Sequence, residues 1–139
     1  ELFSDLIDKL TQYSFFNDTE AIIAIDARGF IFGSAIANKV KKPLILARKK
    51  NKLPGSLIEG SYGLEYGNDN LSIQESAIVP FSNFVIVDDL LATGGTAKCV
   101  IDMLRLKSKE VLALSVIIEL SFLEGSKSLN VPVYSEIKY

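Results

Sequence analysis

The sequence predicts an α/β fold: a doubly wound, mostly parallel sheet flanked by helices, with a β-hairpin projecting from it. Three observations carry this prediction. Continuous apolar runs recur along the chain, as strands covered on both faces require. Helical stretches alternate with those runs, which implies crossover connections and a wound sheet. One segment breaks the pattern by alternating apolar with polar residues beside a strong turn signal.

The apolar runs are AIIAI at Ala21–Ile25, LIL at Leu44–Leu46, FVIV at Phe84–Val87 and VLALSVII at Val111–Ile118. Ahead of them, Leu2, Phe3, Leu6, Ile7, Leu10 and Tyr13 recur at helical spacing, while Asp5 and Lys9 sit four apart on the other side. The chain therefore opens with an amphipathic helix. Further helices are predicted at about Gly29–Lys39 and Thr96–Leu106, the second with Ala97, Val100, Ile101 and Leu104 on one stripe. In the segment Leu57–Ile78, Leu71 and Ile73 alternate with Ser72 and Gln74, and GNDN at Gly67–Asn70 is the expected turn of the hairpin. No repeat, low-complexity stretch or linker interrupts the chain, so residues 1–139 are expected to form a single domain.

Composition narrows the chemistry. With 139 residues, 48% of them hydrophobic, the chain can bury a substantial core. A formal charge of −2 argues against nucleic acid as the main partner, because Lys and Arg dominate phosphate-backbone binding. There is no histidine, and Cys99 is the only cysteine, which excludes histidine-based triads, zinc sites and an intrachain disulfide. Cys99 falls on a predicted helix and reads as a small packing residue. Any metal chemistry must use oxygen ligands. No apolar run approaches the roughly 20 residues of a membrane span and no signal peptide is recognisable, so a cytoplasmic protein is expected.

The most informative stretch is FVIVDDLLATGGT, Phe84–Thr96, which joins a buried strand, two carboxylates, a glycine turn and a helix. In open α/β sheets ligands bind beyond the carboxyl ends of strands. Gly94 and Gly95 permit positive φ and close approach of backbone amides to an anion, while Thr93 and Thr96 add hydroxyl donors, and either can cap the helix. The positive end of that helix favours an anion by roughly 0.3 to 2 kcal/mol, so a phosphate is the natural guest. No lysine follows the glycines, so this is not a Walker loop, and it is not a GxGxxG fingerprint. Asp88 and Asp89 would repel a neighbouring phosphate unless a sugar separated them, its hydroxyls donating to the carboxylates. The alternative is a loop carrying two solvated aspartates.

FVIVDDLLATGGT resembles the signature with which type I phosphoribosyltransferases bind phosphoribosyl pyrophosphate, and its LLATGGT ending is similar to the adenine-specific branch of that family. The resemblance implies the type I phosphoribosyltransferase fold and transfer of a 5-phosphoribosyl group to adenine, giving AMP and pyrophosphate. It implies that Asp88 and Asp89 contact the ribose hydroxyls and that Ala92, Thr93, Gly94, Gly95 and Thr96 cradle the 5-phosphate. Three more segments extend the likeness over essentially the whole chain. AIDARGFIFGSAIA at residues 24–37 puts Arg28 before Gly29 and a helix. An arginine there can hold a pyrophosphate oxygen through its planar fork, or simply form a surface ion pair. The family's pyrophosphate loop matches this turn.

LARKKNKLPG, Leu46–Gly55, packs Arg48, Lys49, Lys50 and Lys52 just past a strand end. Read alone it is as readily a solvated basic face as part of an anion site, and two other phosphate-ready loops favour the latter; the family's matching stretch implies pyrophosphate-binding roles for Lys49 and Lys52. SYGLEYG, Ser61–Gly67, carries Glu65 and Tyr66, which the family places on a lid over the reaction, with the glutamate near the purine N7. Glu65 is thereby implied as general acid and base and Tyr66 as a substrate contact. The resemblance also implies Mg2+ held mainly through substrate oxygens and water, and a homodimer, for which the apolar helix around Phe30, Ile31 and Phe32 offers surface. The family's N-terminal hood, which sandwiches the base, has no counterpart in Glu1–Phe16, so the expectation is a domain without it, and the base-reading residues are unassigned. Rival readings are transfer to hypoxanthine, guanine or xanthine, and a ligand-sensing regulator on the same fold.

Overall fold

A computed structural model of the chain describes residues 1–64 and 67–139. Its elements are α1 (Leu2–Leu10), α2 (Phe15–Asp18), β1 (Ala21–Ile25), α3 (Gly29–Val40), β2 (Leu44–Lys49), β3 (Leu57–Leu64), β4 (Gly67–Gln74), α4 (Glu75–Ile78), β5 (Asn83–Leu91), α5 (Gly95–Leu106), β6 (Glu110–Glu119) and β7 (Val133–Lys138). The strands form one sheet in the order β3-β4-β2-β1-β5-β6-β7. From β2 to β7 all neighbours are parallel; the β3–β4 hairpin is antiparallel and joins through β4.

The apolar runs of β1, β5 and β6 became strands because both of their faces are covered, whereas in β2 Leu44 is left partly exposed. In β1 and β5 the side chains alternate between two cores: Ile22, Val85 and Val87 pack under α1 and α3 with Ile7, Leu10 and Ile36. Ile23, Ile25, Phe84 and Ile86 pack on the other face with Val100, Ile101 and Leu104 of α5. A strand with water on one face would have needed polar residues at every second position. Cys99 is buried in the α5 core, its Sγ 3.8 Å from Met103 Sδ, and burial raises its thiol pKa, as the packing reading expects.

This winding sets the site. The helix after β1 crosses one face of the sheet and the helix after β5 crosses the other, although β1 and β5 are neighbours. Their carboxyl ends therefore diverge into a crevice at the switch point, where ligands of open α/β sheets bind.

Two expectations need correction. GNDN, Gly67–Asn70, is not the turn but the first half of β4, paired with Ser61–Leu64 of β3. Pairing with a full-length partner strand outweighs the turn preference of Asn and Asp. The hairpin is also less free-standing than its polar sequence suggests, because Ile58, Leu71 and Ile73 bury in the α5 core and β4 pairs with β2 through Arg48–Ser72 and Lys49–Leu71. The strand β7 went unpredicted, since its pattern, Val133 to Lys138, is short and mostly polar.

Candidate functional site

At the switch point lies a cavity of about 500 Å³ lined by residues 25–28, Lys49, Tyr62, Gly63 and residues 88–96. The loops after β1 and β5, the end of β2 and one face of the hairpin thus meet at one place. Asp88, Asp89, Ala92, Thr93, Gly94, Gly95, Thr96, Arg28 and Lys49 all stand on its wall. Lys52 does not line it, and Glu65 and Tyr66 fall outside the described residues.

The glycine turn is built for close approach. Gly94 has φ +91° and directly precedes α5, with no side-chain cap on its first amides. Neither Thr93 nor Thr96 acts as the cap, contrary to expectation; both face the cavity instead. Gly95, expected to share the left-handed conformation, does not adopt it. Only Gly94 requires glycine for its φ, as an L-residue there pays a steric cost. A second glycine supports the turn from outside: a Cβ on Gly94 would lie 2.7 Å from the carbonyl oxygen of Gly125, and a Cβ on Gly125 would strike the carbonyl of Ala92. The two backbones interlock. Gly125 was not legible in the sequence, because such a contact joins distant segments and leaves no local pattern.

The carboxylates differ sharply. Asp88 is 8% exposed, its Oδ1 accepting the Asp89 amide at 2.8 Å. Burial, reinforced by the Asp89 carboxylate alongside, pushes the Asp88 carboxyl up to about 8. Asp89 instead pairs with Arg28, Nε to Oδ2 at 2.6 Å. The Arg28 side chain is 72% exposed, so this contact is a solvent-screened bridge across the mouth of the site and easily exchanged for another anion.

The basic run divides its labour. Arg48 turns inward, its Nε 3.5 Å from Asp26 Oδ2, its Nη1 donating to the Lys52 carbonyl and its guanidinium 5.9 Å from the Phe30 ring centre. Asp26 Oδ2 also accepts the Lys49 amide at 3.2 Å, which fixes the end of β2 where Lys49 reaches the cavity. Asp26 is thus a site residue the sequence reading passed over, although its place at a strand end, two residues before Arg28, was a usable signal. Among the described residues no group of three or more acidic or cysteine side chains gathers around one point.

Chemically, the wall offers an anion cradle of backbone amides and hydroxyls, the three carboxyl groups of Asp26, Asp88 and Asp89, and the two cations Arg28 and Lys49. That set fits a phosphorylated sugar bearing a second anionic group. The comparisons agree. The phosphoribosyl transferase domain family matches residues 1–131. An adenine phosphoribosyltransferase of Prochlorococcus marinus is 52% identical over 97% of this chain and 79% of its own. One of Mycoplasma mobile is 40% identical over the whole of this chain and 80% of its own. Among solved structures, the adenine phosphoribosyltransferase of Thermoanaerobacter pseudethanolicus superposes with a TM-score of 0.92 at 36% identity, covering 99% of this chain and 80% of that one. That of Saccharomyces cerevisiae, complexed with an imino-altritol bisphosphate and adenine, gives 0.90 at 37% identity, covering 97% and 79%. A crevice fit for a sugar phosphate, in a chain that shares its sequence and fold with these enzymes throughout, has one reading: the chain belongs to the phosphoribosyltransferase family, among the adenine phosphoribosyltransferases.

Proposed function

We propose that the protein transfers the 5-phosphoribosyl group of phosphoribosyl pyrophosphate to adenine, forming AMP and pyrophosphate in purine salvage. The observation that carries this reading is the joining, in one cavity, of an uncapped helix terminus behind Gly94 with the carboxylates of Asp88 and Asp89. The amides of Thr93–Thr96 hold the 5-phosphate, with Ala92 shaping the turn, and the two aspartates accept hydrogen bonds from the ribose hydroxyls. Arg28 exchanges Asp89 for the pyrophosphate, with Lys49 beside it and Lys52 more loosely engaged from outside the cavity wall.

Departure of pyrophosphate draws electrons from the anomeric carbon, so positive charge develops on the sugar while negative charge grows on the leaving group. Cations at the leaving group and hydrogen-bond acceptors at the sugar lower the barrier through position and field. The all-oxygen donor set fits a magnesium ion that would be held chiefly by substrate oxygens and water and would supply charge neutralisation to the pyrophosphate. Glu65 serves as general acid and base at the purine, with Tyr66 against the substrate, and the hairpin excludes water that would hydrolyse the activated sugar. The working unit is a cytoplasmic homodimer. Among the described residues, no helix is long and apolar enough to cross a membrane.

The test is AMP formation from phosphoribosyl pyrophosphate with adenine, hypoxanthine, guanine and xanthine in parallel. Adenine should be the preferred base by kcat/KM. Preference for another base, or binding of phosphoribosyl pyrophosphate without turnover on any, would replace this reading.

A further inference from the structure

Tyr62 has no part in the chemistry above, yet it is one of two hairpin residues on the cavity wall among the described residues. It stands on β3 at the register position facing Asp69 of β4, and its hydroxyl donates to Asp69 Oδ2 at 3.2 Å. The side chain also faces the start of α5 across the cavity, close enough that a methyl carbon added to Gly95 would lie 3.8 Å from Tyr62 Cδ2. Part of the ring packs on the core that holds Cys99 and Met103. Tyr62 therefore bonds the hairpin's second strand, packs on the α5 core and shares the cavity wall with the phosphate turn. Burial first, and then Asp69, push the hydroxyl pKa to about 12, so it remains a donor throughout the neutral range.

The hairpin needs such a contact. Its only strand pairing to the rest of the sheet, among the described residues, runs through two positions near its base, Arg48–Ser72 and Lys49–Leu71. Beyond Leu71, towards the tip, the described strands pair only with each other. A stiff ring held by a hydrogen bond fixes direction at small entropic cost, having only two side-chain torsions to lose.

We propose that Tyr62 is a positioning residue: its ring, held by Asp69, seats the hairpin against the Thr93–Gly95 turn and so sets where the hairpin stands over the reacting sugar. This rests on the transfer reaction proposed above, in which Glu65 acts from the same hairpin. Because the phosphate is gripped by backbone amides of the turn, the ring governs turnover and not the ground-state hold on the sugar phosphate.

The experiment compares parent, Tyr62→Leu, Tyr62→Phe and Asp69→Ala in the full chain, reading kcat with adenine and the calorimetric Kd of ribose 5-phosphate. Tyr62→Leu should lower kcat about tenfold with Kd within about twofold of the parent. Tyr62→Phe, which keeps the ring, should recover about half of the lost turnover. Asp69→Ala, which releases the ring without removing it, should lower kcat about threefold and decides the matter should Tyr62→Leu fail to fold. Parent-like kcat in Tyr62→Leu or Asp69→Ala, or kcat and Kd worsening together, overturns the positioning role while the reaction stands. A parent that makes no AMP from adenine overturns the reaction and this role with it.

Discussion

Asp88 lies almost out of reach of water beside a second carboxylate, and burial holds its pKa near 8. In the unfolded chain the same group would titrate near about 3.9. The folded state therefore holds a proton that the unfolded state has released across the interval between these values. Stability contributed by protonated Asp88 is full below about pH 4 and is lost as pH rises towards about 8, a change on the order of a few kcal/mol. Thermal melts of the parent and Asp88→Asn between pH 5 and 8 check this: the parent should lose stability relative to the variant, and parallel curves would refute the shift. The same aspartate and its neighbour should matter for substrate, so Asp88→Asn with Asp89→Asn should raise the KM for phosphoribosyl pyrophosphate and lower kcat in a folded protein. At the turn, Gly94→Val should abolish calorimetric binding of ribose 5-phosphate, through both its φ and the collision with Gly125. Gly125→Ala should weaken that binding by about tenfold or more, although Gly125 lies outside the recognisable motif. The sequence made Gly94 legible because VDDLLATGGT is a local pattern, and left Gly125 invisible because its role exists only once two distant backbones touch.

Among the elements, the hairpin shows where sequence reading succeeds and where it stops. Alternation of Leu71 and Ile73 with polar neighbours located β4, although Ser72 between them is buried as well. Glu65 and Tyr66, expected at the tip, lie outside the described residues. GNDN, a turn signal in sequence, is strand, since turn preference is a local quantity while strand length is set by the partner, here the eight residues of β3. The helix after the glycine turn was read correctly, yet its cap was not, because Gly94 rather than a threonine occupies the capping position. That arrangement leaves the first-turn amides of α5 without a side-chain competitor for an anion. The hairpin's base buries three apolar residues, Ile58, Leu71 and Ile73, so a change near its tip should leave the fold standing. Glu65→Gln should accordingly reduce single-turnover rates with adenine by at least about tenfold, leave the Kd of phosphoribosyl pyrophosphate nearly unchanged and alter stability by less than about 0.5 kcal/mol. Parent-rate turnover in that variant would assign the proton to another group or to solvent.

On the scale of the whole molecule, four apolar runs and the helices between them were enough to foresee the wound sheet, because only strands covered on both faces can be that uniformly apolar. The sequence could not give the strand order, and it is the adjacency of β1 and β5 that brings Arg28 within reach of Asp89. The same order leaves α1 and α3 on one face with α1 outermost, where Phe3 packs on Phe32 with ring centres 5.8 Å apart. Leu2, Phe3 and Ile31 remain 86%, 46% and 57% exposed on these two helices. Apolar side chains gathered in this way are what a homodimer would cover, at roughly 25 cal/mol for each Å² removed from water. In a two-fold interface every residue is used twice, so one unfavourable charge is counted twice. Ile31→Glu should therefore weaken self-association by at least about 100-fold, equivalent to about 2.7 kcal/mol, while the cavity, which Ile31 does not line, stays intact. Sedimentation of the parent should show a dimer at micromolar concentration, and Ile31→Glu a monomer with an unchanged circular dichroism spectrum. A parent that sediments only as monomer would remove the dimer from the proposal, and a dimer untouched by Ile31→Glu would move its interface to another face.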